Sequence, residues 1–299
     1  MSDYHVSVLL DESIEILNIR PDGTYVDVTF GAGGHSKSIL NKLSAKGHLF
    51  AFDQDEDALH NVISDARFSL IASNFRYLRR YLRLEGITEV DGILADLGVS
   101  SHQLDIPDRG FSYRYDAPLD MRMNAEADFT AALLLQTYSE DALVDIFSRY
   151  GEVRNSITLA KAVVNERKFA EIRTTFDLNR LLERYTMGHA IKYYSQVYQA
   201  LRMEVNDEIG ALQEMLTEGY RILKPGGRMV VITFHSIEDR VVKNFFKYGN
   251  FEGVMSKDDF GNIYRPFSLV NKKVIMADQK EQKRNPRSRS AKLRCAQKL

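Results

Sequence analysis

A glycine-rich turn directly after a short apolar stretch has the clearest chemical meaning in this sequence. Residues 25–28 are followed by a turn containing Gly31, Gly33 and Gly34, and the next element begins near Ser36. Glycines allow a sharp turn into a helix and let backbone amides approach a ligand closely. The pattern therefore predicts a binding site for a nucleoside cofactor.

The spacing of these glycines distinguishes two classes of cofactor. A dinucleotide fingerprint has a third small residue at the position of Ser36 and seats a pyrophosphate on the helix N-terminus. Here the glycines are bunched at positions 31, 33 and 34, which favours a ligand without phosphate, such as S-adenosylmethionine. Asp53 stands about twenty residues beyond the turn, where a carboxylate can accept hydrogen bonds from both ribose hydroxyls.

Each of these signals also has a purely structural interpretation. A glycine turn between a strand and a helix is common chain geometry. Asp53 could begin the following helix, although Asp55 is better placed as its N-cap. The combination of strand, turn and acid favours the ligand site.

Apolar stretches separated by helical patterns must position these residues. We predict a helix at residues 11–17, and then strands at residues 24–29, 48–52, 68–72, 92–95 and 228–233. Near-continuous apolar runs of this kind indicate a parallel α/β sheet with right-handed crossovers. Ligands of such sheets collect at the carboxyl ends of the strands. The residues at or just beyond such ends are Gly31, Asp53, Phe75 and Asp96.

The interval between the last two predicted strands is too long for one crossover. It starts with an irregular stretch at residues 100–124, and helical patterning dominates from 127 to about 198. A helix is also predicted at 204–223, before the turn KPGG at 224–227. We therefore predict a core at 1–104, an inserted helical substrate-recognition domain at 105–198, and the rest of the core at 199–299, ending in a basic tail.

The composition is that of a globular protein. Of the 299 residues, 44% are hydrophobic and 27% are charged. The one cysteine, Cys295, lies in the polar C-terminal region, so we expect neither a disulfide framework nor a metal cluster. The N-terminus has acid where a signal peptide needs base, and no apolar run has membrane-spanning length. These features favour a cytoplasmic protein that has no contact with a membrane.

Two basic features suggest a polyanionic partner. Residues 279–299 contain eight lysines and arginines and one acid, Glu281, whereas the whole chain has a net charge of -1. Four arginines, at 76, 79, 80 and 83, would share one face of a helix. The alternatives are a solvated tail and the wet side of an amphipathic helix.

Motifs along the whole chain resemble those of one family, the H-type cytosine-N4 methyltransferases of small-subunit ribosomal RNA (the MraW family). The similar segments are HVSVLL (5–10), TFGAGGHS (29–36), DQD (53–55), DLGVSSHQLD (96–105), GFSYR (110–114), PLDMRM (118–123), QALR (199–202), FHSIEDR (234–240) and NPRSRSAKLR (285–294). One departure is MGHAIKYYS at 187–195, where the family has a run similar to HPATR. Substrate contacts in the inserted domain are therefore the weakest part of the resemblance.

The resemblance implies a Rossmann-like sheet with an inserted helical domain. It also implies methyl transfer from S-adenosylmethionine to the exocyclic N4 of a cytosine in the decoding region of 16S rRNA. The substrate would be the rRNA in the small ribosomal subunit or in a late assembly particle. The implied cofactor-binding residues are Gly33, Gly34, His35, Asp53, Phe75, Asp96 and Gln103.

The catalytic residues are not defined by the sequence. The Asn/Asp-Pro-Pro-aromatic motif of many amino-methyltransferases is absent after Asp96, so Asp96 and His235 are only candidates. Methylation at pyrimidine carbon-5 normally needs a cysteine adduct, which the position of Cys295 argues against. No metal site is expected.

Substrate contacts and two other functional classes also stay open. Arg109, Arg114 and Arg122 in the irregular loop are further candidates for phosphate contacts. A nicotinamide-dependent oxidoreductase and a non-catalytic RNA-binding module remain alternatives. The sequence does not indicate the oligomeric state.

Overall fold

A seven-stranded sheet is the central feature of the computed structural model, which describes residues 7–255 and 265–299. The strand order is β3-β2-β1-β4-β5-β7-β6. The first five strands are parallel, and β7 is antiparallel to both of its neighbours. The strands are β1 (Thr24–Asp27), β2 (His48–Asp53), β3 (Phe68–Ala72), β4 (Val90–Asp96), β5 (Leu223–Thr233), β6 (Phe267–Leu269) and β7 (Lys292–Lys298).

The helices fill the connections between these strands. They are α1 (Leu10–Leu17), α2 (Gly34–Leu40), α3 (Glu56–Leu59), α4 (Leu78–Leu84), α5 (Ser101–Asp105), α6 (Ala131–Thr137), α7 (Glu140–Arg149), α8 (Ser156–Glu166), α9 (Thr175–Tyr185), α10 (Ala190–Val205), α11 (Glu208–Ile222), α12 (Ser236–Tyr248) and α13 (Gln279–Arg284). Within the described ranges, no helix is both long enough and apolar enough to cross a bilayer.

The five predicted parallel strands are confirmed, with end points that shift by up to five residues. In β1, β2, β4 and β5 the apolar runs are buried on both faces of the sheet, as in β4, where Ile93, Leu94 and Ala95 are inaccessible to solvent, whereas the edge strand β3 is only partly buried. Burial on both faces explains why these segments were recognisable from their composition. The carboxyl ends of β1, β2, β3 and β4 lie along one edge, since these strands are parallel neighbours.

The prediction of a basic C-terminal tail is wrong. Residues 292–298 form β7, which lies between β5 and β6, and Leu293, Cys295 and Ala296 are buried there. Arg294 binds the Asp239 carboxylate of α12 through two nitrogens, at 2.7 and 3.1 Å, so its charge is neutralised within the fold. Polar residues alternate with buried ones along this strand, and this alternation made a sheet strand look like a charged tail.

The chain forms two compact units. Residues 1–98 and 210–299 form the unit that contains the sheet, and residues 99–209 form a second, helical unit. In the helical unit, helices α6 to α10 bury one apolar cluster, which includes Leu134, Phe147, Leu159, Leu182 and Leu201. Amphipathic helices of this kind are stabilised mainly by such packing. The sequence predicts the boundaries of this inserted helical domain at residues 105 and 198.

The helix predicted at 204–223 is confirmed as α11, but it begins at Glu208, because α10 extends to Val205. Between them, the Asn206 side chain accepts a hydrogen bond from the Met123 amide (2.7 Å) and donates one to the Met121 carbonyl (2.8 Å). Asp207 has a φ of 45°. These tertiary contacts hold a break whose position the helical pattern did not reveal.

Leu293→Ala tests the placement of β7. The Leu293 side chain is fully buried, so truncation should lower the free energy of unfolding by about 2–5 kcal/mol. Urea unfolding followed by circular dichroism measures the change. Arg289→Ala, an exposed position in the same C-terminal region, should change stability by less than about 0.5 kcal/mol. Equal and negligible effects of both substitutions would contradict the burial of Leu293 in β7 and favour a solvent-exposed tail.

Candidate active site

The glycine turn between β1 and α2 forms the floor of the site. Gly31 and Gly33 have φ angles of 51° and 76°, which glycine adopts at no steric cost. A Cβ at Gly33 would lie 2.9 Å from the Phe30 ring, whereas a Cβ at Gly31 would point into open space. The Gly33 amide donates to the Phe30 carbonyl at 2.8 Å and closes the turn. The space beside Gly31 is therefore open, while its amide donates to Asp53 and its carbonyl accepts from Asn61.

Asp27, at the end of β1, holds both sides of this turn. It is fully buried, and its carboxylate accepts from the Thr29 amide (3.1 Å) and from the Ser36 hydroxyl (2.7 Å). Burial raises the pKa of Asp27 to about 6, despite these hydrogen bonds. Asp27 was not among the predicted site residues. The available signal was an acid inside an apolar strand that leads into a glycine turn.

Asp53 connects the end of β2 to the same turn. Its Oδ2 accepts from the Gly31 amide at 2.8 Å, and its Oδ1 accepts from the Asp55 amide at 2.9 Å. The Gln54 amide is a third backbone donor to this carboxylate, which has about four acceptor positions and therefore keeps capacity for a further donor. Burial raises the pKa of this carboxyl group, and the backbone amides oppose that shift. Asp55 caps α3 by accepting from the Asp57 amide, as its position predicted.

Phe75 follows β3 on the same edge of the sheet. It begins a short 3-10 helix, which Asn74 caps by accepting from the Arg76 amide at 2.9 Å. The Asn74 amide group also donates to Gln54 Oε1 at 2.8 Å. This contact joins the Phe75 turn to the residue directly after Asp53.

Asp96 ends β4, next to β1. Its amide donates to the Thr29 hydroxyl at 2.6 Å. Its buried Oδ1 atom has no hydrogen-bond partner among the described residues, although the side chain as a whole is 21% exposed. Burial and the charges of Asp27, Glu238 and Glu281 raise the pKa of Asp96 well above its usual value. Such an atom is a site for an external donor.

His35 lies beside Asp96 as a neutral imidazole, because burial lowers its pKa to about 4. Its Nε2 is 3.2 Å from the Val8 carbonyl. Since a carbonyl only accepts hydrogen bonds, the proton of the neutral ring belongs on Nε2. The unprotonated Nδ1 then lies 3.7 Å from Asp96 Oδ2. When Asp96 is ionised, two acceptors face each other, an arrangement that a donor-rich group such as an ammonium would satisfy.

Two predicted residues have structural partners of their own. Gln103 lies in the helical unit, where it is buried and forms a reciprocal capping box with Ser100 at the start of α5. His235 caps α12, with its Nε2 3.1 Å from Glu238 Oε1. Their roles in cofactor binding and catalysis remain predictions.

The position of Cys295 differs from the predicted one. The residue does not lie in a tail but in the middle of β7, opposite Val230. Burial raises the pKa of its thiol to about 12. A buried thiol of this kind is a poor nucleophile, so adduct chemistry at a pyrimidine carbon is still disfavoured.

Several predicted phosphate contacts have internal partners. Arg76 and Arg79 lie close to Glu214 and Glu218 of α11, at 3.5 and 3.0 Å. Within the helical unit, Arg109 donates to two backbone carbonyls and Arg122 binds the Asp120 carboxylate through two nitrogens. The remaining members of these groups, Arg80, Arg83 and Arg114, are exposed.

Comparisons with known proteins identify the family of this chain. The model of the MraW methylase family matches residues 2–299. Two curated relatives are named ribosomal RNA small subunit methyltransferase H. The protein of Parabacteroides distasonis is 56% identical over 300 residues, which is 100% of this chain and 98% of that protein. The protein of Cytophaga hutchinsonii is 54% identical over 297 residues, with coverage of 98% and 99%.

A solved structure of an rRNA methylase from Streptococcus thermophilus is also similar. It has 12% sequence identity and a TM-score of 0.42 over 97% of this chain and 93% of that one.

Asp27→Asn should change how stability depends on pH. A raised carboxyl pKa stabilises the fold fully below pH 3.8, and this stabilisation is lost as the pH rises through about 6. Between pH 4 and 7, the wild type should lose about 2 kcal/mol of unfolding free energy relative to the variant. Urea titrations at several pH values measure the difference. Asp11→Asn, on the exposed face of α1, is the control, and a difference that does not vary with pH would contradict the assignment.

Proposed function

Because the chain belongs to the MraW methylase family, we propose that it transfers the methyl group of S-adenosylmethionine to the exocyclic N4 of a cytosine in the decoding region of 16S rRNA. The observation that carries the proposal is the pair of acceptors at Asp96 and His35, on the same sheet edge as Asp53. The names of the relatives support a small-subunit rRNA substrate.

The residues of the edge fit S-adenosylmethionine. The remaining acceptor capacity of the Asp53 carboxylate suits the ribose hydroxyls, and Phe75 suits an apolar contact with the adenine. The turn from Gly33 to His35 would line the methionine end, whose ammonium meets the acceptors of His35 and Asp96. When bound, the sulfonium supplies an already activated methyl group.

Asp96 has the properties required of an acceptor for amine protons. The lone pair of a cytosine amino group is delocalised into the ring, so the nitrogen becomes nucleophilic only when it pyramidalises. A carboxylate that accepts its protons favours that shape. Because its pKa is raised, Asp96 is also a stronger base than an exposed aspartate. Alignment of donor and acceptor and exclusion of water supply the rest of the rate.

The rRNA partner is expected to meet exposed cations. Lysine and arginine bind phosphate with release of counterions, and the target base must leave its stack to reach the site. We assign this contact to exposed cations rather than to those bound inside the fold. They are Arg80, Arg83, Arg114, Lys280, Lys283, Arg284 and Arg289. The substrate is the small subunit or a late assembly particle.

The two alternatives to this function are a nicotinamide-dependent oxidoreductase and a non-catalytic RNA-binding module. The family is one of methylases, so a nicotinamide-dependent oxidoreductase does not agree with the match. A chain that binds cofactor and RNA without transferring a methyl group is separated from the enzyme by the transfer experiment below.

Asp53→Asn tests the cofactor site. Loss of the charge weakens the hydrogen bonds to the ribose, and hydrogen bonds to charged groups contribute about 1.5–3 kcal/mol. We expect a roughly 10- to 100-fold increase in the Kd for S-adenosylmethionine, measured by isothermal titration calorimetry. Asp11→Asn should leave the Kd unchanged. An unchanged Kd for S-adenosylmethionine in Asp53→Asn would show that Asp53 does not bind the cofactor.

Asp96→Asn tests the methyl transfer. Small ribosomal subunits and naked 16S rRNA from cells lacking this modification are incubated with labelled donor, and the nucleosides are analysed by mass spectrometry. We expect N4-methylcytidine with the wild type and a decrease in kcat of about 100-fold or more with the variant, in the range of general acid–base catalysis. The absence of label, or label at carbon-5, would contradict the proposed reaction.

A further inference from the structure

We propose that Glu281 is a positioning residue of the cofactor site, because its carboxylate holds the segment at residues 7–9 and thereby orients the His35 imidazole toward Asp96. The inference rests on the proposed function, since it concerns the same site. It also gives the single acid of the basic C-terminal region a role that its sequence context did not suggest.

The first link joins the two ends of the chain. Glu281 Oε1 accepts a hydrogen bond from the Leu9 amide at 2.9 Å, across 272 positions of sequence. Leu9 is fully buried and has a φ of 51°, a left-handed conformation that is costly for a leucine. Surrounding contacts must maintain such a conformation. The Glu281 bond is one of them, and the Asp278 cap of α13 helps to place Glu281 itself.

The second link carries this restraint to the imidazole. Val8, directly before Leu9, is buried, and its carbonyl lies 3.2 Å from His35 Nε2. The neighbouring Ser7 packs against the first turn of α2, where a Cβ on Gly34 would overlap the Ser7 hydroxyl. The segment therefore lies along the glycine turn. Its carbonyl determines which imidazole nitrogen carries the proton, and Nδ1 stays free to face Asp96.

Glu281 acts on the site through both its hydrogen bond and its charge. The bond to Leu9 places the Val8 carbonyl. The negative charge is one of three that raise the pKa of Asp96 beyond the effect of burial. These effects are separable, because glutamine keeps a carbonyl acceptor for the Leu9 amide but carries no charge.

The test compares Glu281→Ala, which removes the acceptor, with Glu281→Gln, which keeps it. Lys283→Ala, an exposed residue of the same helix, is the matched control. Imidazole 15N NMR reports the protonated nitrogen of His35, with the resonance assigned from a His35→Asn variant. Calorimetry with S-adenosylmethionine reports the Kd.

We expect the Nε2–H form in the wild type, Glu281→Gln and Lys283→Ala. In Glu281→Ala, the His35 signal should shift toward a mixture of tautomers, and the Kd should rise roughly tenfold, as expected for sites coupled through a short chain of contacts. Glu281→Asp, whose carboxylate is drawn back from Leu9, should resemble Glu281→Ala and replaces it if the alanine variant does not fold. An unchanged His35 spectrum in every folded variant would overturn the proposal.

The NMR measurement needs no ligand, so it separates this proposal from the proposed function. If the wild type fails to bind S-adenosylmethionine, the proposed function is refuted. The His35 tautomer in the Glu281 variants then still decides whether Glu281 positions the imidazole. Normal binding by a variant with a changed tautomer would show that His35 is held by Glu281 but does not contribute to affinity, and that result would also overturn the positioning role.

Discussion

Three carboxylates end three neighbouring strands, and the need to stabilise them organises the site. Asp53, Asp27 and Asp96 close β2, β1 and β4, which are adjacent in the sheet. Buried like charges repel, and the charge of Asp53 contributes to the raised pKa of Asp27, as that of Asp27 does for Asp96. Backbone amides and hydroxyls satisfy Asp27 and Asp53. At Asp96 one buried oxygen remains available for a cationic, donor-rich ligand.

The same constraint explains the two ends of the chain. An imidazole beside Asp96 can face it with a bare nitrogen only if its other nitrogen has an acceptor, which is the Val8 carbonyl. The C-terminal region supplies β7 to the sheet and Glu281 to the segment before α1. Many of its basic side chains stay exposed. One segment thus completes the fold and, in the proposed function, supports the cofactor site and offers cations to the rRNA.

The arginines show why charge patterns are ambiguous in a sequence. Four arginines at helical spacing suggested one phosphate-binding face, yet Arg76 and Arg79 lie against acids of α11 and only Arg80 and Arg83 are exposed. Arg122 binds Asp120, two residues before it. Spacing identifies the face of a helix, but it does not show whether a charge has a partner close in sequence, as for Arg122, or on a distant element, as for Arg76 and Arg79.

Local patterns were enough to identify the parallel strands, the glycine turn, the Asp55 cap and the placement of Asp53 at a strand end, because burial and backbone conformation restrict the residue types at those positions. The family followed from motifs along the whole chain. Only the tertiary structure showed that residues 292–298 pair with β5, that the break between α10 and α11 lies at 206–207, that Asp27 holds the glycine turn and that Glu281 binds the Leu9 amide. Each of these depends on contacts between distant residues, and a hydrogen bond across 272 positions leaves no local pattern in the sequence.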